Sequence, residues 1–166
     1  LHDALPISSG IPNRQGFDTF YGFLDQRKAH HYYVDSLWEN EQLVSVPLSE
    51  EKQYSSADWY LDKAKDFIRE EAATEAPFFA FIPTQLPHLY MPYEPAEIYQ
   101  DKPWPVGDKR WATMIHTIDQ QMGQLLDLVD SLGIAENTLI VFMSDNGGGN
   151  GQRHYYYDVR FFQSNG

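Results

Sequence analysis

Two stretches of the chain repeat apolar residues at three- and four-residue spacing, and two others are short unbroken apolar runs. Taken in order they predict helix, strand, helix, strand. In the first periodic stretch Tyr60, Leu61, Ala64, Phe67 and Ile68 share one helical face, behind Ser55 or Ser56 as N-cap. Asp62, Lys63, Lys65, Asp66, Arg69 and Glu70 fall mostly on the opposite, solvated face. The second runs from about Lys109 to Leu132, with Trp111, Met114, Ile115, Ile118, Met122, Leu125, Leu126, Val129 and Leu132 in register and Gly133 as the stop. Asp119 sits close to that stripe and is expected to be partly buried and bonded to backbone. Phe78 to Ile82, between Pro77 and Pro83, and Leu139 to Met143 lack alternation, as strands covered on both faces do. The alternating order predicts an α/β fold with a mostly parallel sheet and right-handed crossovers. Leu37 to Val46 predicts a surface hairpin with Glu39-Asn-Glu-Gln42 at or near its turn.

The candidate chemistry lies where the two strands end. In open α/β sheets the carboxyl ends of strands carry the ligands. Ser144-Asp145-Asn146 follows one strand and runs into three glycines. Asp145 offers an anionic oxygen and Asn146 a neutral carbonyl oxygen, two adjacent ligands for calcium or magnesium; the same residues also make an ordinary turn leaving a strand. The other strand runs into Thr84-Gln-Leu-Pro-His88, a proline-rigidified loop. His88 there can donate a proton to a leaving group or bond an anionic oxygen, or can simply be an exposed loop histidine. Upstream, His30 and His31 lie in an aromatic loop, and adjacent residues point to different sides, so at most one faces a site. Downstream, Arg153 and His154 are near enough in sequence to Asp145 to reach the same site or to belong to a terminal segment.

Composition narrows the classes of partner. With 42% hydrophobic and 15% aromatic residues in 166, the chain should be globular, with a sizeable core. A formal charge of -12 without a basic run disfavours nucleic acid and anionic membrane surfaces. No cysteine is present, which removes disulfides, thiolate metal sites and thiol nucleophiles. No apolar stretch approaches a membrane-spanning length, and no basic, apolar signal peptide opens the chain. Residues 1–8, Leu-His-Asp-Ala-Leu-Pro-Ile-Ser, resemble a translated adapter and are set aside as non-native.

Three motifs in order, Gly16-Phe-Asp-Thr-Phe-Tyr-Gly22, Pro77-Phe-Phe to Leu86-Pro-His88, and Asn137-Thr-Leu-Ile-Val-Phe-Met-Ser-Asp-Asn-Gly-Gly148, resemble in order and spacing the middle of type I sulfatases. The resemblance covers nearly all of the chain from residue 10 onward and takes in the Asp119-x-x-x-Gly123 helix. It implies an alkaline-phosphatase-like α/β sandwich with a mostly parallel central sheet, incomplete here, and hydrolysis of sulfate esters, whether of aryl groups or carbohydrates. It implies a calcium ion, with magnesium as the alternative, held by Asp145 and Asn146 among other ligands. His88 is then similar to the family histidine that contacts the sulfate and assists departure of the alcohol; the doublet His30-His31 falls in a region able to supply substrate contacts, with neither residue matched to a family position, and His154, near Asp145 in sequence, is a further candidate substrate contact. The family nucleophile, a formylglycine made from a Cys/Ser-x-Pro-x-Arg motif, has no counterpart: Gly10-Ile-Pro-Asn-Arg14 keeps only the Pro-x-Arg half. Residues 9–166 therefore read as the central part of a sulfatase catalytic domain, truncated at both ends and inactive alone. Two alternatives accompany this reading: a phosphoester or phosphonate hydrolase of the same superfamily, and a non-catalytic glycan- or calcium-binding module. The family resemblance also implies a periplasmic, secreted or lysosome-like location and a sulfated small molecule or glycan as partner.

Overall fold

A computed structural model describes residues 10–47, 54–74, 76–88 and 93–145, in two compact units, residues 1–90 and 91–166. In the first unit β1 (Tyr21–Gly22), β2 (Ser36–Glu39) and β3 (Gln42–Ser45) form an antiparallel sheet in that order. Leu37 pairs with Val44 and Tyr21 with Glu39. The predicted hairpin forms, and its turn places Asn40 at φ +53°, a left-handed conformation that asparagine tolerates. The Asn40 side-chain oxygen accepts from the Phe20 N–H and the Asn13 amide, both at 3.0 Å, which ties the turn to the preceding loop. Beside it the Arg14 guanidinium meets the Glu41 carboxylate through two bonds of 2.8 Å. Arg14 thus serves a surface ion pair, and its place in a Pro-x-Arg sequence is coincidental.

Helix α1 (Gln26–Ala29) is a single turn whose N-cap is Asp25, accepting from the Arg27 N–H at 2.7 Å. Helix α2 (Ser56–Ala72) starts at Ser55, whose N–H and hydroxyl both donate to Asp58 Oδ2, at 2.7 and 2.9 Å. Leu61 and Ile68 on its apolar face are buried, as is Leu37 in β2. Lys63, assigned by the pattern to the solvated face, instead reaches the sheet: its Nζ lies 2.6 Å from Glu39 and 5.0 Å from the Tyr21 ring centre. Gly22 is buried where β1 meets α2, and an added Cβ would stand 3.4 Å from the Phe20 ring. Burial there favours a residue without a side chain.

The second unit contains α3 (Glu97–Gln100) and α4 (Val106–Ser131). The buried Thr113 hydroxyl accepts from the Ala96 N–H at 2.8 Å and donates to the Lys109 carbonyl, joining the lead-in of α3 to α4. Helix α4 ends as the pattern requires. Gly133 has φ +71°, its N–H donates to the Asp130 carbonyl, and the Ile134 N–H donates to the Val129 carbonyl, the paired bonds of a Schellman motif. Asp119, expected to be partly buried, is exposed, because it lies about 140° around the helix from the buried Met114.

The strand readings need the larger correction. Residues 77–83 and 138–145 form no ladder among the described residues, and the only sheet among them is the antiparallel one. Leu139, Phe142 and Met143 are 89%, 70% and 78% exposed, and Phe79 is 73% exposed. An unbroken apolar run becomes a buried strand only when neighbours pair with its backbone and cover both its faces. Among the described residues neither run has them.

Candidate active site

His88 closes a turn in which its N–H donates to the Gln85 carbonyl at 2.9 Å. The turn contains a cis Leu86–Pro87 bond, and Leu86 is buried beneath it. Tyr32, only 2% exposed, donates its phenol to the carbonyls of both Gln85 and His88, each at 3.1 Å. The backbone on either side of the turn is therefore held from below by one side chain. Gln85 adds a second anchor: its Oε1 accepts from the Ser56 hydroxyl at 2.9 Å and the Tyr60 phenol at 3.3 Å, while its Nε2 donates to the His31 carbonyl at 3.3 Å. The Ser56 N–H in turn donates to the Tyr32 carbonyl at 2.6 Å. Residues from α1's exit, from the first turns of α2 and from the loop at 84–88 are thus joined through one amide. Burial pushes the Tyr60 phenol above its ordinary value, with the Ser56 hydrogen bond opposing and Tyr21 adding to the rise. Tyr60 is a neutral donor here.

His30 follows α1 as its C-cap, and its Nδ1 lies 2.6 Å from the Gln26 carbonyl oxygen. A carbonyl only accepts, so Nδ1 carries the proton in that bond. The His30 and His88 rings meet edge to face, with centres 4.8 Å apart and planes at 71°. His31 is exposed and contributes its carbonyl, not its ring, to the network. The structure therefore brings His30 and His88 together and turns His31 elsewhere. Asp145 belongs to the second unit, at an exposed position two residues beyond the apolar run 139–143. Asn146 and His154 lie outside the described residues. Among the described residues no group of three or more His, Asp or Glu gathers as a metal site.

The pattern of the sequence missed Gln85, Tyr32, Ser56 and Tyr60 as parts of one network. Ser56 had been a helix cap and Tyr60 an apolar contact. The available signal was that both are hydroxyl-bearing and four residues apart, hence on one face of α2.

The His88 backbone is held at its N–H and carbonyl, and its exposed ring, with a second imidazole against it, is able to exchange protons with a neighbouring group. Comparison with known proteins makes the class specific. Residues 5–165 match the family model described as Sulfatase. The N-acetylgalactosamine-6-sulfatase of Mus musculus is 32% identical over 149 residues, 82% of this chain and 27% of that protein. The dog counterpart, from Canis lupus familiaris, is 28% identical over the same shares. An N-acetylgalactosamine-6-O-sulfatase of Bacteroides thetaiotaomicron is 30% identical over 68% of this chain and 18% of that protein. The chain belongs to the sulfatase family, whose alkaline-phosphatase-like fold is of the α/β class. It spans about a quarter of the length of the mammalian relatives.

Proposed function

We propose that this chain supplies the leaving-group histidine and part of the cation site of a sulfate ester hydrolase. The observation that carries the reading is His88, held by Tyr32 and Gln85 at the end of the loop in a chain that matches the sulfatase family over residues 5–165. Names of the relatives favour a sulfated amino sugar, within the wider class of sulfated carbohydrates and aryl sulfates. His88 holds a proton at a ring nitrogen and passes it to the alcohol oxygen as the S–O bond breaks. Without that proton the departing alkoxide is a poor leaving group.

Asp145 and Asn146 fit a hard cation by donor chemistry: both offer oxygen, and Asp145 is exposed at the end of its run. They would hold calcium, or magnesium, as two members of a larger oxygen set, because calcium takes about six to eight ligands. When bound, the ion supplies charge neutralisation for the sulfate. The family's formylglycine nucleophile would come from outside this chain, which has no Cys/Ser-x-Pro-x-Arg motif.

The test uses the complete protein that carries this segment, with release of inorganic sulfate from N-acetylgalactosamine 6-sulfate as readout. His88→Ala is expected to lower kcat by about a hundredfold or more while calcium stays bound, as loss of a general acid does. Asp145→Ala should weaken calcium binding and activity together. Faster cleavage of phosphate monoesters or phosphonates than of sulfate esters would replace this reading with the phosphoester hydrolase one.

A further inference from the structure

The His88 side chain makes one ring contact and no hydrogen bond among the described residues, although its backbone is held at both N–H and carbonyl. An exposed imidazole on a fixed backbone still turns about two side-chain bonds, so a fixed loop does not by itself aim its nitrogens. What stands against the ring is His30, edge to face at 4.8 Å. His30 is itself aimed: its Nδ1–H donates to the Gln26 carbonyl, one of those that a single helical turn leaves without an intrahelical partner. Asp25 fixes the other end of that turn.

We propose that His30 is a positioning residue for His88, holding the imidazole of the proton donor in one orientation through ring contact rather than by touching substrate. This rests on the reading of His88 as proton donor. One-turn α1 then has a reason to exist beside the site, because it carries His30 on a short rigid lever. The ring contact and the Nδ1 bond are separable by substitution. His30→Phe keeps a ring against His88 and loses the donor to Gln26. His30→Asn keeps a short amide donor for the Gln26 carbonyl and loses the ring.

The experiment measures kcat and KM for sulfate release by the complete protein and its variants, alongside NMR of isotope-labelled histidine side chains. His30→Asn is expected to lower kcat about tenfold with KM nearly unchanged, the size of loss that slight misplacement of a reacting group causes. His30→Phe should restore most of kcat. The His88 ring resonances should shift in His30→Asn, where the neighbouring ring current is gone, and stay near their original place in His30→Phe. Overturning results are full kcat in His30→Asn, unmoved His88 resonances, or a raised KM in both variants, the last of which makes His30 a substrate contact. If His88→Ala leaves sulfate release intact, the proton-donor reading fails instead, and the resonances alone decide whether the rings are coupled.

Discussion

Gln85 shows most clearly how one residue can set a site without touching the reacting atoms. Its amide joins Ser56, Tyr60 and His31, and its carbonyl accepts from Tyr32 and from the His88 N–H. Gln85→Leu leaves two hydroxyls and a carbonyl without their partner, each at a cost of about 1–3 kcal/mol where water cannot replace it. The expected outcome is a loss of about 2–4 kcal/mol, less than the sum because the region is half-open, read by urea unfolding, with kcat falling as the His88 loop loosens. Tyr60 gives a pH signature at the same scale. The folded state keeps its phenolic proton more tightly than the unfolded chain, whose phenol titrates near 10.0, chiefly because the ring is buried. This contribution is therefore complete below about pH 10 and is lost as pH rises beyond it. Tyr60→Phe should flatten the alkaline limb of the stability profile, as measured by unfolding midpoints across that range; an unchanged slope would count against the burial argument.

At the scale of elements, the two long helices are secured at their ends by different means. Helix α2 depends on Asp58 at its start, and α4 on Gly133 at its close. Gly133→Ala would put a Cβ at φ +71°, where nothing crowds the site but the backbone itself disfavours L-residues. A loss of about 1–2 kcal/mol in chemical denaturation is expected, since left-handed backbone costs that much for a residue with a Cβ. Loss of this order from a change that removes no contact would identify backbone conformation as the cause. The β2–β3 hairpin follows the same logic through Asn40, whose positive φ is combined with two bonds to its side-chain oxygen.

Across the whole molecule, what is exposed matters as much as what is buried. Leu139, Phe142, Met143 and Phe79 stand mostly in solvent, in runs rich in residues that favour strands. Produced alone, the chain should self-associate through such segments, because unpaired apolar strands template pairing with other copies. Light scattering and size-exclusion chromatography check this, and a soluble monomer with a cooperative thermal transition would contradict it. The isolated chain is also expected to release no sulfate above a calcium-only control. It has no cysteine and no Cys/Ser-x-Pro-x-Arg motif, and groups that act as a unit lose most of their effect when divided.

Local rules were legible without coordinates. Periodicity marked α2 and α4, Gly133 marked where α4 stops, and the polar turn at 39–42 marked the hairpin, because each depends on residues a few positions apart. The order of three motifs pointed to the family that the comparison establishes. Long-range relations were not legible. That Gln85 gathers Ser56, Tyr60 and His31, that Lys63 turns to Glu39, and that His30 rather than His31 meets His88 depends on how distant segments pack. The apolar runs show the limit from the other side: sequence alone determined that residues 78–82 and 139–143 are suited to burial, but whether they are buried depends on which neighbours cover them, and that is decided only in three dimensions.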